Sequence, residues 1–175
     1  MRQKTALLIA AVLLGAASGP VLAQGSPRSL GSFDAWDAYV QGEGRTRVCF
    51  AVSRPTETLP KDARRGEIYA MVSHRPAERV QSEINISFGY PVRREARTEA
   101  QIGAARFALA VFEGKDYESH GFAPDAAQDK EMAEQIARGA QMVVRGTSQR
   151  GTATTDTYSL KGASAALKAI AEACK

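Results

Sequence analysis

Few side chains in this sequence belong to the types from which catalytic or metal centres are built: two cysteines, Cys49 and Cys174, and two histidines, His74 and His120. A nucleophilic centre needs a nucleophile, a base beside it and a group that orients the base. No Ser lies in a G-x-S-x-G elbow, and a cysteine nucleophile requires a thiol that is not already bridged. His74 stands before Arg75-Pro76 at the end of a predicted strand, and His120 lies in Glu118-Ser119-His120-Gly121, so both read as strand-end or loop residues. Two histidines and two distant cysteines lack the paired spacing of a zinc site, and no glycine-rich phosphate loop occurs. The chain is therefore expected to have no catalytic residues, no metal and no cofactor. A hydrolase with His74 or His120 as base is the runner-up.

The cysteines are better explained by compartment than by catalysis. Met1-Arg2-Gln3-Lys4-Thr5 carries two positive charges and is followed by an apolar run from Ala6 to Ala17. That run is shorter than the roughly 20 residues of a permanent membrane helix. A charged start, an apolar middle and small residues at Val21-Leu22-Ala23 are the parts of a secretory signal peptide, with cleavage expected between Ala23 and Gln24. No later stretch is apolar enough to insert, so no integral membrane segment is expected after processing. The predicted location is the periplasm of a Gram-negative cell, or secreted. There an isolated pair of cysteines is expected to be bridged, with two buried free thiols or a redox pair as alternatives; no C-x-x-C spacing supports the last.

The chain carries 23 Lys and Arg against 19 Asp and Glu, for a formal net charge of +4. Removing residues 1–23 takes Arg2 and Lys4 and no acid, leaving 21 basic residues against 19 acids, or +2. A balance this mild does not point to nucleic acid, which calls for a clustered basic face. About 150 residues suit one domain.

The elements that would position any site are mostly strands. Residues 24–32 are small, polar and interrupted by Gly and Pro, and read as a flexible leader, with order beginning near Phe33. Alternating apolar residues predict a hairpin of Phe33 to Val40 and Arg45 to Val52. Ser53 to Arg65, with Pro55 and Pro60, reads as a surface loop. Further strands are expected at Glu67 to Ser73, Ser82 to Tyr90, and in shorter form around 92–101, 105–112 and 117–122. Asp125 and Gln128 have the form of a helix N-cap, Met132 and Ile136 share one helical face, and Gly139 stands where a glycine cap belongs. Met142 to Arg145 and Thr152 to Leu160 predict a hairpin turned at Gly146 to Gly151. A terminal helix from about Ser164 places Ala163, Leu167, Ile170 and Cys174 on one stripe. Cys49 shares a strand face with Ala51, so this helix is expected to lie across the first hairpin, pinned by a Cys49 to Cys174 bridge.

Two polar segments stand out. Arg93-Arg94-Glu95-Ala96-Arg97 reads as a charged edge-strand start, or as a contact for an anionic lipid or polysaccharide. In the hydroxyl-rich run that follows Arg150, alternation puts Thr152, Thr154, Asp156 and Tyr158 on one side. Arg150 with these four is a candidate polar binding strip, against the plainer reading of Thr on an exposed sheet face.

Trp36 at the start of a hairpin, Arg47-Val48-Cys49-Phe50-Ala51 followed by Pro55, and above all the run from Arg145 to Gly162 resemble the invasion-associated locus B family, with Ala165-Ala166-Leu167-Lys168 and Cys174 extending the likeness. The resemblance covers residues 33–175. It implies an exported α-proteobacterial protein with a β-sandwich-like fold; with the two helices read above, the expected domain is mainly β, an antiparallel β-sandwich-like domain with one short helix and a C-terminal helix packed on the sheet. It brings no defined catalytic residues. The expected role is an envelope binding or interaction protein with a protein, lipid or glycan partner, contributing to host interaction or envelope integrity. A stress-associated envelope component that binds nothing is the further alternative.

Overall fold

The computed structural model describes residues 26–175. The expected signal peptide and its cleavage point at Ala23 and Gln24 lie outside the described residues. Two antiparallel sheets and two helices enclose one core. The first sheet has the order β1-β2-β3-β5-β6-β9, built from β1 (Arg28–Phe33), β2 (Trp36–Gln41), β3 (Val48–Ser53), β5 (Tyr69–Arg75), β6 (Val80–Ser87) and β9 (His120–Phe122). The second has the order β4-β11-β10-β7-β8, from β4 (Glu57–Leu59), β7 (Glu99–Ile102), β8 (Ala105–Ala108), β10 (Gln141–Thr147) and β11 (Ala153–Ser159). Helix α1 (Ala126–Arg138) packs on β6, and α2 (Ala163–Ala173) packs on β1, β2 and β3. The mainly β class, the short helix and the C-terminal helix on the sheet all agree with expectation.

Alternation makes the core. Trp36, Ala38, Val40, Cys49, Ala51, Ala70, Val72, Ile84 and Ile86 are buried from the first sheet, and Ala100, Ile102, Met142, Val144 and Tyr158 from the second. Trp36 has no exposed surface, and its indole N–H donates to the Ser159 carbonyl at 3.1 Å. A buried ring that large is tolerated because its one polar atom is satisfied. Phe88 lies over Gly146, where an added Cβ would come within 2.7 Å of the ring. Gly146 thus sits inside β10 instead of opening the turn.

Three expectations about strand placement also need correction. Order starts at β1, not at Phe33, because Arg28 to Phe33 pair with Val40 to Trp36. This edge strand shows Ser29 and Ser32 outward while Leu30 and Phe33 pack on the core, so its composition resembles a loop. The loop of 53–65 contains β4, which pairs with β11 through Thr58 and Asp156. The charged run 93–97 is no strand: only Val92 forms a bridge, to Ser148, and the arginines occupy the turn before β7.

The helices dock by specific contacts. Asp125 caps α1 by accepting from the Gln128 N–H at 2.8 Å. Gly139 ends α1 with φ −75°, not in the left-handed conformation of a glycine cap. Glycine is required there for closeness: a Cβ would meet Ile102 Cγ2 at 2.7 Å and Leu160 Cδ1 at 2.8 Å. On the strand side, β9 covers just Asn85 to Ser87 of β6, and beyond its end the Asp129 carboxylate accepts the Ile84 N–H at 2.8 Å. A helix side chain thus completes the sheet edge. The bridge joins Cys49 to Cys174, 125 positions apart in sequence, with Cα atoms 6.0 Å apart, inside the span a disulfide can close.

Reducing the Cys49 to Cys174 bridge is expected to destabilise the fold by about 2–5 kcal/mol. Urea unfolding with and without reductant measures it, and an unchanged midpoint would show that the bridge constrains nothing.

Asp129 is pushed up to about 6, chiefly by burial, with the Ile84 N–H opposing and the nearby Glu83 and Asp125 adding to the rise. Its folded value lies above the unfolded one of about 3.9. Ionisation therefore costs the folded state, fully above about pH 6, and the cost disappears as pH falls toward 4. Asp129→Asn keeps an acceptor for Ile84. It is expected to be more stable than the wild type at pH 7 and to converge with it near pH 4; parallel melting curves across that window decide the sign.

Candidate functional site

The hydroxyl-rich strand faces the other way from a displayed binding strip. Thr154, Asp156 and Tyr158 point inward, with 4%, 0% and 0% exposure, while Arg150 and Thr152 sit on the exposed turn. The half-exposed side carries Thr155, Thr157 and Ser159. The alternation was correctly read and its direction was not, because Asp156 has a buried partner 91 residues earlier. Arg65 Nη1 and Nη2 each lie 2.6 Å from a carboxylate oxygen of Asp156, and Arg65 Nε donates to the Phe88 carbonyl at 2.9 Å. The guanidinium also stands 5.1 Å from the centre of the Tyr90 ring, whose hydroxyl is 2.5 Å from Thr154 Oγ1. Gly66 N–H to the Gly89 carbonyl holds the approach, and Gly89 has φ +67° with the Gly66 backbone where a Cβ would go. With side chains 4% and 0% exposed, this ion pair is sealed from ligands. It is a structural tie between the sheets.

The histidines do not assemble a centre. His74 pairs across β3 with Cys49, already bridged, and its Nδ1 accepts from the Ser82 N–H at 3.0 Å. His120 stands in β9 opposite Ser87, with Nε2 at 3.3 Å from the Tyr69 hydroxyl. Burial holds both imidazoles below the ordinary histidine range, in His120 against an opposing backbone contact from Asp116. The structure brings neither histidine to the other, nor to Arg150 or the hydroxyl-rich strand.

What sequence reasoning missed is the outer face of the six-stranded sheet. Register places Asp37, Val52, Met71, Asn85 and Phe122 in one row across five strands. Beside it run Tyr39 and Phe50, stacked with centroids 5.4 Å apart, and Tyr69 with His120. Phe122 continues the apolar surface to Phe112 and Tyr117, at 5.6 and 6.3 Å between ring centres, and these two rings are 51% and 53% exposed. At a strand spacing of about 4.8 Å, the four steps from β2 to β9 span roughly 19 Å. Both helices join the core on the opposite side, with Cys49, so this face is left to solvent. Two ion pairs lie near it, Arg54 with Glu67 at 2.6 Å and Arg75 with Glu83 at 2.5 Å, while Asp37 in the row accepts from the Ser32 hydroxyl. An open antiparallel sheet face ordinarily carries polar residues; here only Asp37 and Asn85 of the row are polar, and exposed apolar surface on that scale marks an interaction surface. The signal for it was present as Tyr39, Phe50, Val52 and Met71 opposite the buried set, in strands that are apolar on both faces.

A family model described as Invasion associated locus B (IalB) protein matches residues 36–171. No curated protein and no solved structure matches the chain. Among the described residues no helix is long and apolar enough to cross a membrane, and no group of three or more His, Cys, Asp or Glu could hold a metal ion.

Removing one member of the buried ion pair leaves the other charge unpaired in the interior. Arg65→Met and Asp156→Leu are each expected to lose about 3–5 kcal/mol, and the double variant to lose less than the sum. Chemical denaturation of the three variants tests this; additive losses would mean that the two residues do not act as a pair.

Proposed function

Because the chain belongs to the invasion-associated locus B family, we propose that it works as an exported cell-envelope binding protein whose contact surface is the outer face of the six-stranded sheet. One observation carries the reading: the stacked Tyr39 and Phe50, with Val52, Met71, Phe122, Phe112 and Tyr117, form an apolar surface that no helix covers. Burying aromatic rings is worth far more than burying the Thr or Lys that such a face ordinarily shows. The neutralised charges around it favour contact by desolvation over long-range attraction. The disulfide supports an oxidising compartment, and the expected signal peptide supports export. The partner is a protein, lipid or glycan of the envelope, and the role follows from being held there, in envelope integrity or host contact.

The test is photo-crosslinking in cells from probes placed at Phe50 and Phe112, with a control probe at Lys168 on the exposed side of α2. Envelope adducts from the two sheet positions and none from Lys168 are expected. Adduct yields at Phe50 and Phe112 no higher than at Lys168 would overturn this assignment of the contact face.

A further inference from the structure

On the outer face of the other sheet, charge is out of balance around one carboxylate. Register puts Glu99 of β7 between Arg145 of β10 and Ala108 of β8, on the side away from the core. Its side chain is nevertheless only 9% exposed, because three guanidiniums gather over it. Arg97 Nε lies 2.8 Å from Oε2, while Arg106 Nη1 and Arg145 Nη1 lie 3.2 and 3.7 Å from Oε1. Arg145 Nη1 also donates to Gln101 Oε1 at 3.1 Å. One acid cannot neutralise three cations, and a single arginine would have satisfied Glu99.

The surplus faces outward. Side-chain exposures of Arg97, Arg106 and Arg145 are 76%, 53% and 43%. Each guanidinium has five N–H donors in a planar fork, and the contacts just described engage only a part of each. A shallow cleft adjoins Arg145, lined by Gln101, Arg138, Gly139 and Val143, and gives space beside the fork. Of the acids outside the cluster, Glu95 stands at an exposed position two residues before Arg97, and two others are occupied or remote. Glu134 is paired with Arg138 at 2.8 Å, and Glu57 stands on β4, three strands or about 14 Å from β7.

We propose that Arg97, Arg106 and Arg145, gathered by Glu99, form a binding site for a phosphate- or sulfate-type oxyanion, carried on a lipid headgroup or on a free ester. Guanidinium forks match the tetrahedral oxyanion with paired, charge-assisted hydrogen bonds. Glu99 draws the three guanidiniums together, bonding Arg106 directly while Gln101 holds Arg145, and this gathering before the ligand arrives lowers the ordering cost of binding. A neutral ligand would leave two cations uncompensated on the same spot. This site lies on the opposite sheet from the aromatic face and does not depend on the reading of that face.

The experiment is a titration of the protein with inorganic pyrophosphate, followed by amide NMR shifts, alongside co-sedimentation with phosphatidylcholine vesicles with and without phosphatidylglycerol. Saturable shifts confined to residues 97–106 and 141–147, or vesicle binding that requires the anionic lipid, are expected, each weakening as salt rises. Pyrophosphate binding alone assigns a free ester, and vesicle binding alone assigns a headgroup. Arg106→Gln with Arg145→Gln is expected to weaken whichever binding is seen by about tenfold or more. Arg97→Gln, at a mostly exposed position that cannot threaten the fold, is expected to weaken it severalfold. Arg28→Gln with Arg79→Gln makes the same charge change at exposed positions, one in β1 and one in the turn before β6, and should leave binding unaltered. No binding in either arm, or equal loss from both double variants, would overturn the site.

Discussion

The Arg65 to Asp156 pair is the constraint on which the arrangement of the two sheets depends. Taking two charges out of water costs several kcal/mol each, so the pair is tolerable only if almost every donor and acceptor is used. Arg65 meets that condition through both carboxylate oxygens, the Phe88 carbonyl and the Tyr90 ring. Those partners come from different places: Asp156 from the second sheet, Phe88 and Tyr90 from the segment that leaves the first. The guanidinium therefore fixes the distance between the sheets as well as the position of the loop that carries it.

The same pair sets the register of β11. A one-residue slip would turn Asp156 to solvent and bring Thr155 and Thr157 inside, leaving Arg65 as an unpaired buried cation. Once Asp156 points inward, Thr154 and Tyr158 must follow, and the displayed row becomes Thr155, Thr157 and Ser159. Through β10 this places Val143 and Arg145 on the outer face, and through β7 it places Gln101 and Glu99 beside them. The surface chemistry of the second sheet is thus a consequence of a buried interaction at its centre. The disulfide plays the matching part on the first sheet, where it ties α2 to the inner side of β3 and leaves the outer side bare.

Most of the architecture was legible from local pattern. Period-two alternation found the strands of the first hairpin, β5 and β6, the Asp125 cap and the Met132 to Ile136 face found α1, and the stripe ending at Cys174 found α2 and its bridge. What escaped was decided by partners far away in sequence. Arg65 lies in a run of charged residues that has no period, and only Asp156, 91 positions later, makes it a core residue. An aspartate in mid-strand was itself a clue, since Asp is disfavoured in strands unless something buried receives it. β1 was missed because an edge strand with serines facing outward has the composition of a leader. The outer aromatic face was missed because alternation was taken to mean one dry and one wet side, and this sheet has apolar residues on both.

That two-sided apolarity is the least explained feature of the fold if stability is the only criterion. Thr or Val at the positions of Tyr39 and Phe50 would serve strand propensity equally well, and Phe112 and Tyr117 gain little from burial at about half exposure. Exposed rings on an antiparallel sheet also invite self-association. The protein bears this liability on one face while the opposite face carries a charge excess held in place by Glu99. A rigid sandwich, cross-tied by an ion pair and a disulfide, keeps these two surfaces apart and back to back. On both proposals, such a body would hold an apolar partner on one side and an anionic one on the other without either contact disturbing the core.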